Sequence, residues 1–339
     1  VQAAALRVFP GVLRDASRTI GCGGNQCNYF GEKVHLLDPA EDRKQDCAHQ
    51  HQGRSGMPPR TAPTGRQQRL GAELRKMREQ AGLSPVHAGR ELGADRTRIS
   101  NTEAGRLGLS PERIRTFAQI YSCPDNKYIS ALVAMTDERG KGWWEEYRGS
   151  LSASMLDLAE LEYHATGLTV LQLAYIPGLL QTEEYARSLF QNTVPPLAPI
   201  DVERRVSFRM QRKCVMQRTP ATPHTFMIHE CALRMLHAGV DGQRRQLDRL
   251  IEVSGHEGVT IRVIPFAAGS FPGANTSATY AEGAVPKLDT VQIDTAHGSL
   301  FLDAEAHLEN YRSILRYAKK TALGPKQSRD FIRSIANQL

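Results

Sequence analysis

Leu70, Leu74, Met77 and Ala81 recur at spacings of four, three and four, which predicts one apolar stripe along a helix beginning near Arg69. Gly82 follows at the point where a left-handed cap is needed. Ser84 then supplies an N-cap and Pro85 a first helical residue, so a second helix starts at once, with Ala88, Gly89 and Leu92 on its inner side. Gly93 tolerates the next sharp turn, and Asp95 caps a third helix in which Ile99 is the apolar position. Ser110-Pro111-Glu112 opens a fourth helix with Ile114, Phe117, Ala118 and Tyr121 inward. Asp125 caps a fifth, which carries Ile129, Leu132 and Val133.

Around Ile99 the third helix reads Arg96, Thr97, Arg98, Ser100 and Asn101, polar residues and nearly all hydrogen-bond donors. Such a composition suits a helix that enters a DNA major groove while its predecessor crosses the backbone. Arg96 has the fork for guanine O6 and N7, and Asn101 the amide for adenine N6 and N7. Thr97 can touch a thymine methyl. Arg98, Arg106 and Arg113 are placed by type and spacing for phosphates. Ser84, at a helix N-terminus, joins them as a candidate contact. A basic helical bundle would also be charged: residues 66–122 hold eleven Lys and Arg against six Asp and Glu, a modest excess. The ordered turn glycine, caps and polar positions are what favour DNA.

With its string Leu74-Arg75, Arg78-Glu79, Ala81-Gly82-Leu83-Ser84, Leu92-Gly93, Ile99-Ser100, Glu103 and Gly105, the stretch 69–133 resembles the lambda/Cro-repressor-like, or XRE-type, helix-turn-helix domain. That resemblance implies base contacts on Arg96, Thr97 and Asn101, and a structural role for Glu103. Three positions depart from the family pattern. Pro85 stands where a phosphate-contacting Gln is usual, Ala88 where a larger aliphatic is usual, and Thr102 where an apolar residue is usual.

Asp137-Glu138-Arg139-Gly140-Lys141-Gly142 is a charged, glycine-broken joint that predicts a domain boundary, with 137–142 as linker between a 69–136 and a 143–339 domain. Beyond it, one helix is expected from Trp143 through Leu151 to Glu162, a strand over Gly167 to Ala174, and a helix capped by Thr182. A further helix covers 200–217, with Val202, Val206, Met210 and Val215 inward and its arginines outward. A strand at Phe226–Ile228 runs into a helix over Glu230–His237, and another helix spans Val240–Ser254. Val259 to Pro265 is the clearest strand, β-branched, alternating and ended by proline. Strands near Ala278–Ala281, Leu288–Ile293 and Ser299–Leu302 precede closing helices over Ala304–Ala322 and Ser328–Gln338. The fold class expected is therefore an all-α five-helix DNA-binding domain followed by an α+β domain.

The strings Pro177-Gly178-Leu179-Leu180-Gln181-Thr182 to Tyr185-Ala186 and Ile261-Arg262-Val263-Ile264-Pro265-Phe266 resemble a domain of unknown function that follows XRE-type helix-turn-helices in many actinobacterial regulators. The resemblance implies an antitoxin-like regulator, often encoded beside a small partner protein. Control by such a partner requires an exposed apolar patch, for which Trp143, Trp144 and the Ile176–Leu180 loop are candidates, although at least one of Trp143 and Trp144 is expected to pack in the core. The alternative, a small-molecule sensor, requires a closed apolar pocket with convergent polar groups. Catalysis is not expected. His229-Glu230 begins a His-Glu-x-x-His string, but Leu233 replaces the second metal ligand, and Gly269 to Gly273 lacks the geometry of a nucleophile elbow.

Composition sets bounds on these readings. A 339-residue chain with 40% hydrophobic and 23% charged residues has room for two globular domains, and a net charge of +7 suits a polyanionic partner. Its apolar runs fall short of the roughly 20 residues of a membrane helix. Six cysteines in this length are no disulfide framework, so a reducing cytoplasm near the nucleoid is the expected location. Residues 1–56 show no sustained period, and Met57 precedes a polar lead-in, 57–68. Met57 is the expected native start, with 1–56 either translated upstream sequence or a disordered extension. Cys22, Cys27, Cys47, His49 and His51 are the right ligand types for zinc, but their spacing fits no standard finger, so neither metal nor cofactor is expected. The expected partners are double-stranded DNA, a second copy of the chain in a homodimer, and the small protein, with no membrane.

Overall fold

The computed structural model describes residues 62–137, 142–295 and 298–339. The start at Met57, the extension 1–56, the zinc candidates and most of the 137–142 joint lie outside the described residues.

The first helix, α1, spans Gly65–Gln80 and begins four residues earlier than the apolar stripe suggested. Thr64 accepts a hydrogen bond from the Gln67 backbone and Gln67 reciprocates, a capping box that extends the helix into polar sequence. Leu70, Leu74 and Met77 are buried, but Ala81 is the exposed C-cap rather than a core position. Gly82 adopts φ 69°, and Leu83 N–H donates to the Arg78 carbonyl, closing a Schellman motif. Helix α2 (Pro85–Glu91) and α3 (Arg96–Glu103) start at Ser84 and Asp95, whose side chains accept from the backbones of His87 and Arg98. Helices α4 (Pro111–Ile120) and α5 (Asn126–Asp137) complete the bundle, with Ile114, Phe117, Tyr121 and Leu132 in its core.

The single helix expected from Trp143 to Glu162 is in fact two. A 3₁₀ turn covers Trp143–Tyr147, Gly149 turns the chain at φ 83°, and α6 runs from Ala153 to His164. The aromatic spacing mimicked helical periodicity across a break that the positive φ at Gly149 makes. Strand β1 (Gly167–Gln172) leads through the Pro177-Gly178 turn to α7 (Glu183–Gln191), capped by Thr182 as its sequence suggests. The expected helix 200–217 divides into α8 (Pro199–Gln211) and a 3₁₀ segment, Arg212–Gln217. Nor do all its arginines face water: Arg212 is buried against Glu162 of α6, with bonds of 2.8 and 2.5 Å. A carboxylate on another element redirects it, a contact that local periodicity does not register.

Strand β2 (His224–His229), the short α9 (Glu230–Arg234), α10 (Gly239–Val253) and β3 (Val259–Ile264) follow. Helix α9 ends three residues before the expected His237. Strands β4 (Ala278–Glu282), β5 (Thr290–Thr295) and β6 (Gly298–Leu302) precede α11 (Glu305–Thr321) and α12 (Pro325–Ala336). The sheet order is β3-β2-β1-β4-β5-β6, with β1, β2 and β3 parallel and the remaining pairs antiparallel. Val170, Phe226 and Ile261 align across the parallel half. Residue alternation sends Leu168, Val170, Phe226, Ile228 and Val263 to one face, against Leu247, Leu250, Ile332 and Ile335 of α10 and α12. Leu171, Met227, Ile264 and Val291 go to the other, against Leu308, Leu315 and Ala318 of α11. Ile176, Leu179 and Leu180 belong to the first of these cores, so their loop offers no exposed patch. Trp144 is likewise buried, beside Leu156 and Phe208.

Candidate nucleic-acid interface

Helix α3 buries Ile99 and Thr102 and exposes Arg96, Thr97, Arg98 and Ser100, with Asn101 half-buried. At about 100° per residue, Thr97 and Asn101 lie opposite the buried face, with Arg96 and Ser100 on one flank and Arg98 on the other. The polar positions therefore share one continuous outward surface. Thr102 fits its buried site because its hydroxyl donates to the Arg98 carbonyl at 2.9 Å.

Two close approaches set the helices that hold α3. A Cβ on Gly89 would collide with the Ala94 carbonyl, and one on Gly71 with the Glu103 carbonyl. The first fixes α2 against the turn, and the second seats α1 against the end of α3. Beneath them, Arg78 donates to Glu103 through Nε and Nη2 at 2.6 and 3.0 Å, and through Nη1 to the Leu83 carbonyl at 2.7 Å. One guanidinium thus joins α1, the turn after it and α3.

The other candidates divide. Ser84 uses its hydroxyl as a helix cap for the His87 N–H at 3.2 Å. Arg106 is exposed and reaches Asn101 Oδ1 at 3.3 Å, close to the outward face of α3. Arg113 differs: it is half-buried, donates to the Leu92 carbonyl at 3.0 Å and stacks over the Phe117 ring at 5.3 Å. Its guanidinium ties α4 to the end of α2. In the second domain, His229 caps α9 by accepting from the Cys231 N–H at 3.3 Å, and Glu230 accepts from the Phe266 N–H at 2.8 Å.

A family model described as a helix-turn-helix domain matches residues 69–127. A second, described as a domain of unknown function (DUF5753), matches residues 155–334, more than half of the chain. The chain belongs to the DUF5753 family. No curated protein and no solved structure in the comparisons matches it. It is thus a helix-turn-helix protein with a DUF5753 domain, and no described helix is long and apolar enough to cross a membrane.

What periodicity did not reveal is how firmly the DUF5753 domain grips the back of the helix-turn-helix. Arg69 on α1 donates to the carbonyls of Lys287 and Asp289 at 2.8 and 3.0 Å, and to Thr290 Oγ1 at 2.8 Å. It also binds Glu73, whose other oxygen accepts from Tyr128 on α5 at 2.6 Å. Lys287 answers with Asp125 at 3.1 Å, while Val285 and Leu288 pack against the helix-turn-helix core. The β4–β5 connection carrying them is itself held by Asp289, which accepts from Tyr280 at 2.5 Å and from Arg312 at 3.1 Å. Arg69→Ala is expected to cost on the order of 2–3 kcal/mol, since it removes charge-assisted bonds from a side chain only 11% exposed. Calorimetry should then show one unfolding transition divide into two.

Proposed function

We propose that this protein is a sequence-specific transcriptional regulator that reads a two-fold operator as a dimer, with control exerted through its DUF5753 domain. The observation that carries the proposal is the outward face of α3, on which Arg96, Thr97, Ser100 and Asn101 project donors of the kinds that read base edges. Arg98 and Arg106 flank it as phosphate contacts, and Arg113 acts as a positioning residue. The second domain is read as a binding module and not an enzyme.

Selection of bound duplexes from a random pool by the full chain tests this directly. An enriched inverted repeat supports a dimeric reader. A pool left unenriched overturns it. On the selected duplex, Arg96→Ala is expected to lose about 1–3 kcal/mol and to relax preference at one base pair. Arg98→Ala is expected to weaken selected and random DNA alike and to lower the salt slope by about 1. Fluorescence anisotropy across a salt series reads both effects. Equal loss on both duplexes for Arg96→Ala would remove that residue from the readout.

For control, the antitoxin-like reading implied by the resemblance invokes a small protein encoded nearby. Tyr175, Met235, Leu236 and Val240 are exposed apolar residues at and around the junction of α9 and α10, with Tyr175 4.8 Å from the His237 ring. They offer apolar surface of the kind that the buried Ile176–Leu180 loop does not.

A further inference from the structure

Between the helix-turn-helix and the sheet lies a cavity of about 660 Å³, within the span of roughly 300–1,000 Å³ typical of small-molecule sites. One wall comes from α1 and α5, the other from α6 and strands β4 to β6. Unlike the closed pocket expected inside the second domain, it is shared by both domains and is not fully enclosed.

Its apolar wall is made chiefly of small side chains: Ala72, Ala131, Ala134 and Ala281, with Leu161 and Phe301 among them. Two surfaces that needed only to adhere would fill such space with larger residues, because each void forfeits dispersion contacts. The polar groups are lopsided. Five carboxylates line the cavity, those of Glu103, Asp157, Glu160, Glu282 and Asp303, against the guanidinium groups of Arg66 and Arg69. Glu103 is neutralised by Arg78, and Arg69 is held by Glu73 and by the β4–β5 connection. Asp303 lies 3.5 Å from both Arg69 and Lys76. Asp157 feels the cation of Arg148 and Glu160 that of Arg66, Glu160 also accepts from the Thr64 hydroxyl and the Arg66 N–H, and Glu282 completes the acidic wall.

Asp157 and Glu160, three residues apart on one face of α6, point to the N-terminus of α1, where Asp157 accepts from the Gly65 N–H at 2.8 Å. Burial pushes both carboxyls above the usual range. His164, one turn further along, is held down to about 4 by burial and by the neighbouring Arg66 and Arg218, so its ring adds no positive charge at neutral pH. A cation entering here gains acidic partners whose own desolvation it relieves.

We propose that this cavity binds a small organic cation, an amine or guanidine carried on an apolar body. The apolar part lies among the alanines and the charged group meets Asp157 and Glu160. Because α1 and α5 form one wall, the occupant bears on the seating of the DNA-reading domain against its partner domain.

The test uses dansylcadaverine, an aliphatic primary amine tethered to an aromatic dansyl group, titrated into the full chain without DNA, so its outcome is separate from that of the operator reading. Its N-acetylated counterpart, which lacks the charge, is the control. Saturable binding at least tenfold tighter for the amine is expected. Asp157→Asn, which keeps an acceptor for Gly65, should erase that preference while leaving the acetylated probe unchanged. Ala134→Trp, a substitution on an exposed position at the cavity wall, should abolish binding of both, with an unchanged melting temperature to show that the fold survives. Equal affinity for the two probes, binding of neither, or full binding by the Ala134→Trp variant would each overturn the proposal. Should Ala134→Trp fail to fold, the Asp157→Asn comparison decides it alone.

Discussion

Arg78→Ala is expected to destabilise the helix-turn-helix domain by about 3–5 kcal/mol, the cost of breaking a buried ion pair from one side. The Arg78 and Glu103 side chains are 6% and 8% exposed, so the substitution leaves a largely buried carboxylate without its hydrogen-bonded cation. It also strips the Leu83 carbonyl of its donor. Hydrogen bonding to Glu103 raises the Arg78 pKa further above its ordinary value, so the guanidinium keeps its charge. Urea unfolding followed by circular dichroism measures the loss. Arg78→Met combined with Glu103→Leu should recover most of it, because removing both charges leaves nothing unpaired. If the double variant is no more stable than the single one, the loss comes from packing and not from the orphaned charge.

Glu162→Ala should cost a similar 3–5 kcal/mol in the other domain. Its partner Arg212 is bound through two nitrogens, and the two side chains are only 4% and 8% exposed. Arg209, which donates to Gln181, lies close enough to Arg212 to be repelled by it. Without Glu162 two guanidinium groups share that interior with only the more distant Asp294 carboxylate acting on both. The two substitutions differ in consequence. Glu162→Ala should lower the unfolding midpoint while the protein that remains folded retains its DNA affinity, whereas Arg78→Ala removes the support of α3 itself. Anisotropy at a temperature well below both midpoints separates them. A matched loss of DNA affinity in Glu162→Ala would mean that the second domain shapes the reading surface directly.

The features legible in the sequence are those whose causes are local. Gly82 at a helix end, Ser84 before Pro85, and Asp95, Ser110 and Asp125 before helices act through groups three or four residues away. Strand β3 is legible for the same reason, because the alternation lies within it and the stop, Pro265, directly follows it. What the chain hides depends on distant partners. Arg212 turns inward because of Glu162, fifty residues earlier. Arg113, suited by type to phosphate, meets the Leu92 carbonyl twenty-one residues earlier, and the parallel register of β1, β2 and β3 joins strands far apart in the chain. Gly71 carries its own signal, a small residue inside an apolar helical stripe, which marks close backbone approach.

The β4–β5 connection sits against the helix-turn-helix on α1 and the start of α5, away from the outward face of α3. The helix-turn-helix is thereby tied to its own sheet by hydrogen bonds and apolar contacts. In a dimer joined through the DUF5753 domains, the gap between the two heads would be a property of the sheets. A two-fold site presents its halves about 34–36 Å apart, or at multiples of that distance. The ruler for that length would then be written in residues that touch no nucleotide, and Arg69 would be the pin that keeps it from slipping.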